Sequence, residues 1–201
     1  MKKNIIKLTD ILKTVSKESC PYKLNFHCHT NYSDGSLRPL ELYKQAIKFN
    51  LSHIAITDHH SVKAFIDIEN EKKNNSLIRN SITKLWSGLE ITGLLDGCLV
   101  HILALDVDIS SSYISPYIKG ESVKGDYLKA NNIIYNIRQS GGISILAHPA
   151  RYRVPFNRLI EQAYNIGFDG IEVWYDYERS DEWRPSPFIC EKILEQIKNT
   201  N

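Results

Sequence analysis

Long apolar runs are missing from this chain. No stretch approaches 18 apolar residues, so nothing in the sequence reads as a membrane-spanning helix. Cysteine is sparse and scattered. Cys20, Cys28, Cys98 and Cys190 stand far apart with no C-x-x-C pair, which argues against thiolate zinc and against a disulfide scaffold. Free thiols in a reducing, cytoplasmic protein are expected. Charge of one sign is not in excess: 25 Lys and Arg face 23 Asp and Glu, a formal +2, which speaks against a dedicated nucleic-acid wrapper. There is no internal repeat and no Pro/Ser-rich linker. A G-x-S-x-G elbow and a P-loop are also absent, which removes the commonest signatures of serine hydrolases and nucleotide triphosphatases.

What is present is ordinary globular material. Apolar residues make up 42% and charged residues 24% of 201, enough for one domain with a core. Met1-Lys2-Lys3 opens like a signal peptide, but Lys7, Thr9, Asp10 and Lys13 interrupt any apolar region behind it. Leu8, Ile11, Leu12 and Val15 fall at helical spacing instead, so residues 1–20 read as an amphipathic lead.

Short apolar runs then alternate with helical patterns. Strands are expected at 23–29, 52–57, 85–91, 99–107, 143–147 and 170–175. Helices are expected at about 38–50, 62–74, 127–139, 156–166 and 187–198, the first capped near Ser36 or Leu37 with Pro39 in its first turn. Asp96-Gly97 marks a hairpin between the third and fourth strands. The alternation means an α/β fold, either an open sheet or a barrel, with the motif-bearing part at 24–175.

Histidine placement carries the chemistry. His27 and His29 flank Cys28 on the first strand, and the two-residue period of a strand turns both imidazoles to one face and the thiol to the other. Alone, an H-x-H is weak. Here Thr57-Asp58-His59-His60 ends the second strand, Glu90 lies near the end of the third, His101 is on the fourth and His148 ends the fifth. Catalytic groups of parallel α/β folds gather at the carboxyl ends of strands. Imidazoles and carboxylates gathered there are ligands for Zn²⁺, Mn²⁺ or Fe²⁺. Asp34 is a further ligand or a turn residue. Asp58 either orients a ligand histidine or shapes the strand end. Arg151 and Arg153 either fork onto a phosphate or are solvated loop charges. His53, at the other end of its strand, is read as structural, and His60 need not point inward.

Phe26-His27-Cys28-His29-Thr30, Ser33-Asp34-Gly35, Ile56-Thr57-Asp58-His59, Gly88-Leu89-Glu90-Ile91, His101-Ile102-Leu103 and Ala147-His148-Pro149 resemble, in order and spacing, the PHP domain, named for polymerase and histidinol phosphatase. The resemblance implies a distorted (β/α)7 barrel with two or three divalent ions (Mn, Zn or Fe) in its mouth. It implies phosphoester hydrolysis by metal-activated water, on a small phosphorylated substrate such as a nucleotide or short oligonucleotide. Carried over residue by residue, His27, His29 and Glu90 hold a first metal, Glu90, His101 and His148 a second, and Asp34 and His59 a third. One departure stands out. The family usually ends on an Asp-x-His strand, whereas no histidine follows His148 here, and the late acids Asp169, Glu172, Asp176 and Asp181 stand in no such motif. The barrel is therefore expected to lack its last strand, leaving an exposed sheet edge. The alternative function is a weakened or non-catalytic metal-binding domain, from a truncated or divergent relative.

Overall fold

The computed structural model describes residues 7–200. The start of the expected lead, residues 1–6, lies outside them. Within the described part of that lead a short helix α1 (Leu8–Leu12) buries Leu8, with Val15 beyond its end.

Two sheets carry the domain. In the first, β1 (Leu24–Asn25), β2 (His53–Ala55) and β3 (Lys84–Trp86) run parallel in the order β1-β2-β3. In the second, β4 (Gly88–Leu95), β5 (Cys98–Leu105), β6 (Ile143–Leu146) and β7 (Gly170–Ile171) follow one another in space, the first three antiparallel and the last pair parallel. The expected third strand at 85–91 is thus divided. The chain leaves β3 at Ser87, whose hydroxyl donates to the Val107 carbonyl, and enters the second sheet. A parallel bridge between His59 and Glu90 joins the two sheets. The His60 N–H donates to the Glu90 carbonyl at 3.0 Å and the Glu90 N–H to the Asp58 carbonyl at 3.2 Å.

Among the described residues no strand pairing joins β1 to β7, which leaves an unpaired side between them. A cavity of about 770 Å³ lies along that open side, walled by apolar groups including Leu24, Phe26, Leu103, Ile145, Ile171 and Trp174. The expected sixth strand at 170–175 is correspondingly short. Its partner β6 stops at Leu146, because the chain turns at His148-Pro149 and offers β7 nothing further to pair with.

The helices follow their apolar periodicity. They are α2 (Pro39–Lys48), α3 (Lys63–Asn74), α4 (Ser76–Arg79), α5 (Ala130–Gln139), α6 (Phe156–Ile166) and α7 (Pro187–Thr200). The cap of α2 is Arg38 rather than Ser36 or Leu37: the Glu41 carboxylate accepts the Arg38 N–H at 3.1 Å, satisfying one of the donors a helix start leaves free. The helix expected at 127–139 begins only at Ala130, behind a 3₁₀ turn at Gly125–Leu128. Helix α6 matches its expected span, buries Leu159, Ile160 and Ala163, and ends on Gly167 at φ 86°, where a side chain would be strained. Asp96 and Gly97, both at positive φ, turn the β4–β5 hairpin as their identities suggest. All four cysteines are free thiols, and no helix among the described residues is long and apolar enough to cross a membrane.

Candidate metal centre

The hairpin supplies the middle of the site. Facing residues of an antiparallel pair share one side of the sheet. Glu90 opposite Leu103 and Thr92 opposite His101 therefore point the same way, while Leu89 and Ile91 point into the core. Around Glu90 the other elements deliver imidazoles. His27 and His29 come from the chain just past β1, His59 from the end of the β2 segment, and His148 from the end of β6. Cys28 turns the other way and donates its thiol to the Ala55 carbonyl, as the strand period predicts.

The Glu90 side chain is 1% exposed and sits against five imidazoles. Its Oε1 lies 3.0 Å from His101 Nδ1 and 3.3 Å from His148 Nε2. Its Oε2 lies 3.1 Å from His29 Nε2, 3.2 Å from His27 Nε2 and 3.5 Å from His59 Nδ1. Asp34, mostly exposed, reaches His29 Nδ1 at 3.4 Å and His59 Nε2 at 3.7 Å. Three sets of donor atoms lie close enough together to hold an ion: His27, His29 and Glu90; His29, Asp34 and His59; His59, Glu90 and His101. The grouping implied by the resemblance is thus partly redistributed, with His29 and His59 each facing two sets.

Electrostatics and hydrogen bonding favour a cation here. Burial by itself would keep Glu90 neutral, but the imidazoles outweigh it and hold the acid far below the usual carboxylate range. Burial likewise lowers His59 and His148, keeping them toward the neutral form that binds metals. His27 goes the other way. Burial opposes its charge, yet the carboxylates of Glu172 and Glu90 prevail and raise it to about 10. Despite its crowded surroundings, Glu90 Oε1 has no hydrogen-bond partner, and neither does the buried His148 Nδ1. Nitrogens converging on a carboxylate oxygen without aiming a proton at it fit a shared divalent cation, for which imidazole and carboxylate are the apt donors.

Several side chains hold this arrangement. Asp58 is fully buried, and its carboxylate hydrogen-bonds to Thr30 and Ser33 rather than to a ligand histidine, which favours the reading in which it shapes the strand end. Its Oδ1 accepts the Thr30 N–H at 2.6 Å and the Ser33 hydroxyl at 2.8 Å, and its Oδ2 accepts the Thr30 hydroxyl at 2.6 Å. The carboxylate therefore pins the loop that carries His29 and Asp34. Asp58→Ala strips three partners from buried donors, and a loss of about 3 kcal/mol of stability is expected in urea unfolding. His60 faces inward only structurally, its Nε2 accepting the Thr92 N–H at 3.1 Å, and His53 accepts from the Trp86 indole at 3.3 Å, away from the cluster.

Two contacts were not legible in the sequence. The Tyr152 hydroxyl accepts the His101 N–H at 2.7 Å and donates to the Ala147 carbonyl at 3.3 Å, tying β5 to the end of β6. Glu172, just after β7, meets His27 Nδ1 at 2.9 Å and accepts the His148 N–H at 2.7 Å. Its only signal was its position among the late acids. Arg151 and Arg153 differ. Arg151 closes the 3₁₀ turn Pro149–Arg151 and donates to the Tyr175 hydroxyl at 2.9 Å, beside the ring that packs on His148. Arg153 is exposed with no hydrogen bond or ion pair among the described residues.

Comparison with known proteins agrees with this geometry. The PHP domain family model matches residues 25–98, the stretch containing His27, His29, Asp34, His59 and Glu90. The chain is 30% identical over 94 residues to the 5'-3' exoribonuclease Rnm of Escherichia coli, covering 47% of this chain and 31% of that protein. It is 30% identical over 154 residues to a 5'-3' exoribonuclease of Haemophilus influenzae, covering 74% of this chain and 54% of the relative. The chain thus spans about half or less of the length of these relatives. A solved structure from Bifidobacterium adolescentis, provisionally described as a metal-dependent phosphoesterase, shares the fold with a TM-score of 0.66 at 20% identity, over 90% of this chain and 85% of that one. With its histidine motifs in the matched order and its imidazoles gathered on one buried glutamate, the chain matches the PHP domain family over residues 25–98.

Proposed function

We propose that this chain is a metal-dependent phosphoesterase acting on nucleotides, short oligonucleotides or small phosphomonoesters. The observation that carries the reading is the buried Glu90 carboxylate, ringed by five imidazoles, with an oxygen that no hydrogen bond satisfies. We read the strands as an arc within a single domain: a distorted barrel open between β1 and β7, with the site at one end. His27, His29, Asp34, His59, Glu90, His101 and His148 would hold two or three ions of Mn, Zn or Fe. Such ions lower the pKa of coordinated water toward about 7 and neutralise charge on a phosphate. The exoribonuclease relatives favour a nucleic-acid end as the substrate.

The chain's own residues do the rest. Glu90 draws the imidazoles to one point, with His27, His29 and His59 on Oε2 and His101 and His148 on Oε1. Asp58 keeps the His29–Asp34 loop in place. Arg151, held over Tyr175, would present its guanidinium fork to the non-bridging oxygens of the phosphate, whereas the exposed Arg153 has no contact of this kind to hold it. A charge-assisted bond of this kind is worth roughly 1.5–3 kcal/mol. Arg151→Ala should therefore lower kcat/KM by about 10- to 100-fold, and Arg153→Ala should leave it within about twofold. The assay is Mn²⁺-dependent release of phosphate or nucleotide from a 5'-phosphorylated short RNA and from p-nitrophenyl phosphate. The weakened or non-catalytic alternative draws on the absence of any histidine after His148. Metal binding without turnover of either substrate would select it.

A further inference from the structure

Glu172 joins two parts of the candidate centre that no backbone pairing connects. β1 and β7 are the free edges of the two sheets, and the Glu172 carboxylate reaches from one to the other over a separation of 145 residues in sequence. Its backbone is set by β6, the Glu172 N–H donating to the Leu146 carbonyl at 2.9 Å, which brings the side chain level with His148. One oxygen lies 2.9 Å from His27 Nδ1 and the other accepts the His148 N–H at 2.7 Å. The side chain is 13% exposed, so water competes little for either oxygen.

We infer that Glu172 is a positioning residue of the metal centre: it keeps the proton of His27 on Nδ1, so that Nε2 faces Glu90 and any ion there, and it holds the backbone of His148 in place. Two facts give this force. The imidazole of His27 has two nitrogens, and a carboxylate that accepts from one leaves the other to ligate. His148 sits at φ 28°, ψ 62°, a left-handed conformation unfavourable for a residue with a Cβ, and a strained backbone needs a partner to persist. The Glu172 oxygen on the His148 N–H is that partner. The result is a stacked pair of rings, His27 and His148, with centroids 5.4 Å apart and both Nε2 atoms on Glu90.

This inference rests on the metal-site reading, and the test separates the two. Glu172→Gln keeps the size of the side chain but replaces one acceptor by an amide donor, so it cannot serve both the His27 Nδ1–H and the His148 N–H. Expected results are a 10- to 100-fold loss of Mn²⁺ and Zn²⁺ affinity in competition with a chromophoric chelator, and a shifted His148 amide resonance. The hydrogen-bonded Nδ1–H proton signal of His27 should also be displaced or lost. A purely structural role would lower the unfolding midpoint while leaving affinity and the Nδ1–H signal unchanged, and that outcome overturns the assignment. The wild-type NMR signal needs neither metal nor the variant. If wild-type His27 shows no hydrogen-bonded Nδ1–H, Glu172 does not position it. If the signal is present but the protein binds no metal, the metal-site reading fails while the Glu172–His27 contact stands.

Discussion

Glu90→Gln should abolish metal loading. The substitution preserves volume and removes one negative charge from the point where five imidazoles meet. Losing even an outer partner of a metal ligand typically costs 10- to 100-fold in affinity. Glu90 faces two of the three donor sets itself, so a loss of about 100-fold or more is expected for each ion it contacts. The measurement is metal per chain by elemental analysis, on protein purified without chelator or metal-affinity resin, for wild type and variant side by side. Wild type should carry two or more transition ions per chain. A variant that retains them would remove Glu90 from the centre. Hydrolysis of phosphoesters should fall with the metal content, because neither the water nor the phosphate charge is then handled by an ion. The fold should survive, since Leu89 and Ile91 keep β4 in the core whatever occupies the face between them.

Gly35→Ala should damage stability and site together. A Cβ at this position would stand 2.2 Å from the His29 carbonyl oxygen, 2.4 Å from its carbon and 2.8 Å from the Thr30 nitrogen. These are backbone atoms that cannot swing aside, and the Gly35 N–H is itself bonded to the Thr30 carbonyl at 2.9 Å. The loop must therefore open, moving Asp34 and His29 away from His59. A cost of about 3 kcal/mol is expected, the upper part of the range for overpacking. For a domain of this length that is roughly 6–12 °C in Tm. Thermal unfolding with and without added Mn²⁺ provides the check. The metal-induced rise in Tm should shrink along with the baseline, whereas a baseline loss alone would place Asp34 outside the ion-binding set.

Part of the candidate site is legible in the sequence for a simple reason. His27, His29, His59 and His148 follow the ends of short strands, where a two-residue period and a terminating turn announce direction and position, whereas Glu90 and His101 lie within the hairpin strands and Asp34 in a turn. His27-Cys28-His29 is the clearest case: alternation alone separates two imidazoles from the thiol between them, and the structure follows it. The same logic stops short where the decisive partner lies far away in sequence. For Asp58 the sequence leaves two readings open, orienting a ligand histidine or shaping the strand end. Its actual partners are Thr30 and Ser33, on another strand-end loop. Strand limits at 85–91 and 170–175 were misjudged for a related reason. An apolar run shows that a segment is buried but not which neighbour it pairs with, and pairing decides where a strand divides or stops.

Composition, motif order and hairpin chemistry, then, were enough to establish an α/β chain with a cluster of imidazoles and carboxylates at one end, since these depend on local periodicity and on residue type. Tertiary structure alone decided that five histidines share one carboxylate, that His29 and His59 each face two donor sets, that no pairing among the described residues joins β1 to β7, and that Glu172 links His27 to His148 across that gap. Those relations are set by which strands pack side by side, and contacts between residues as far apart as 27 and 172 leave no periodic trace in the sequence between them.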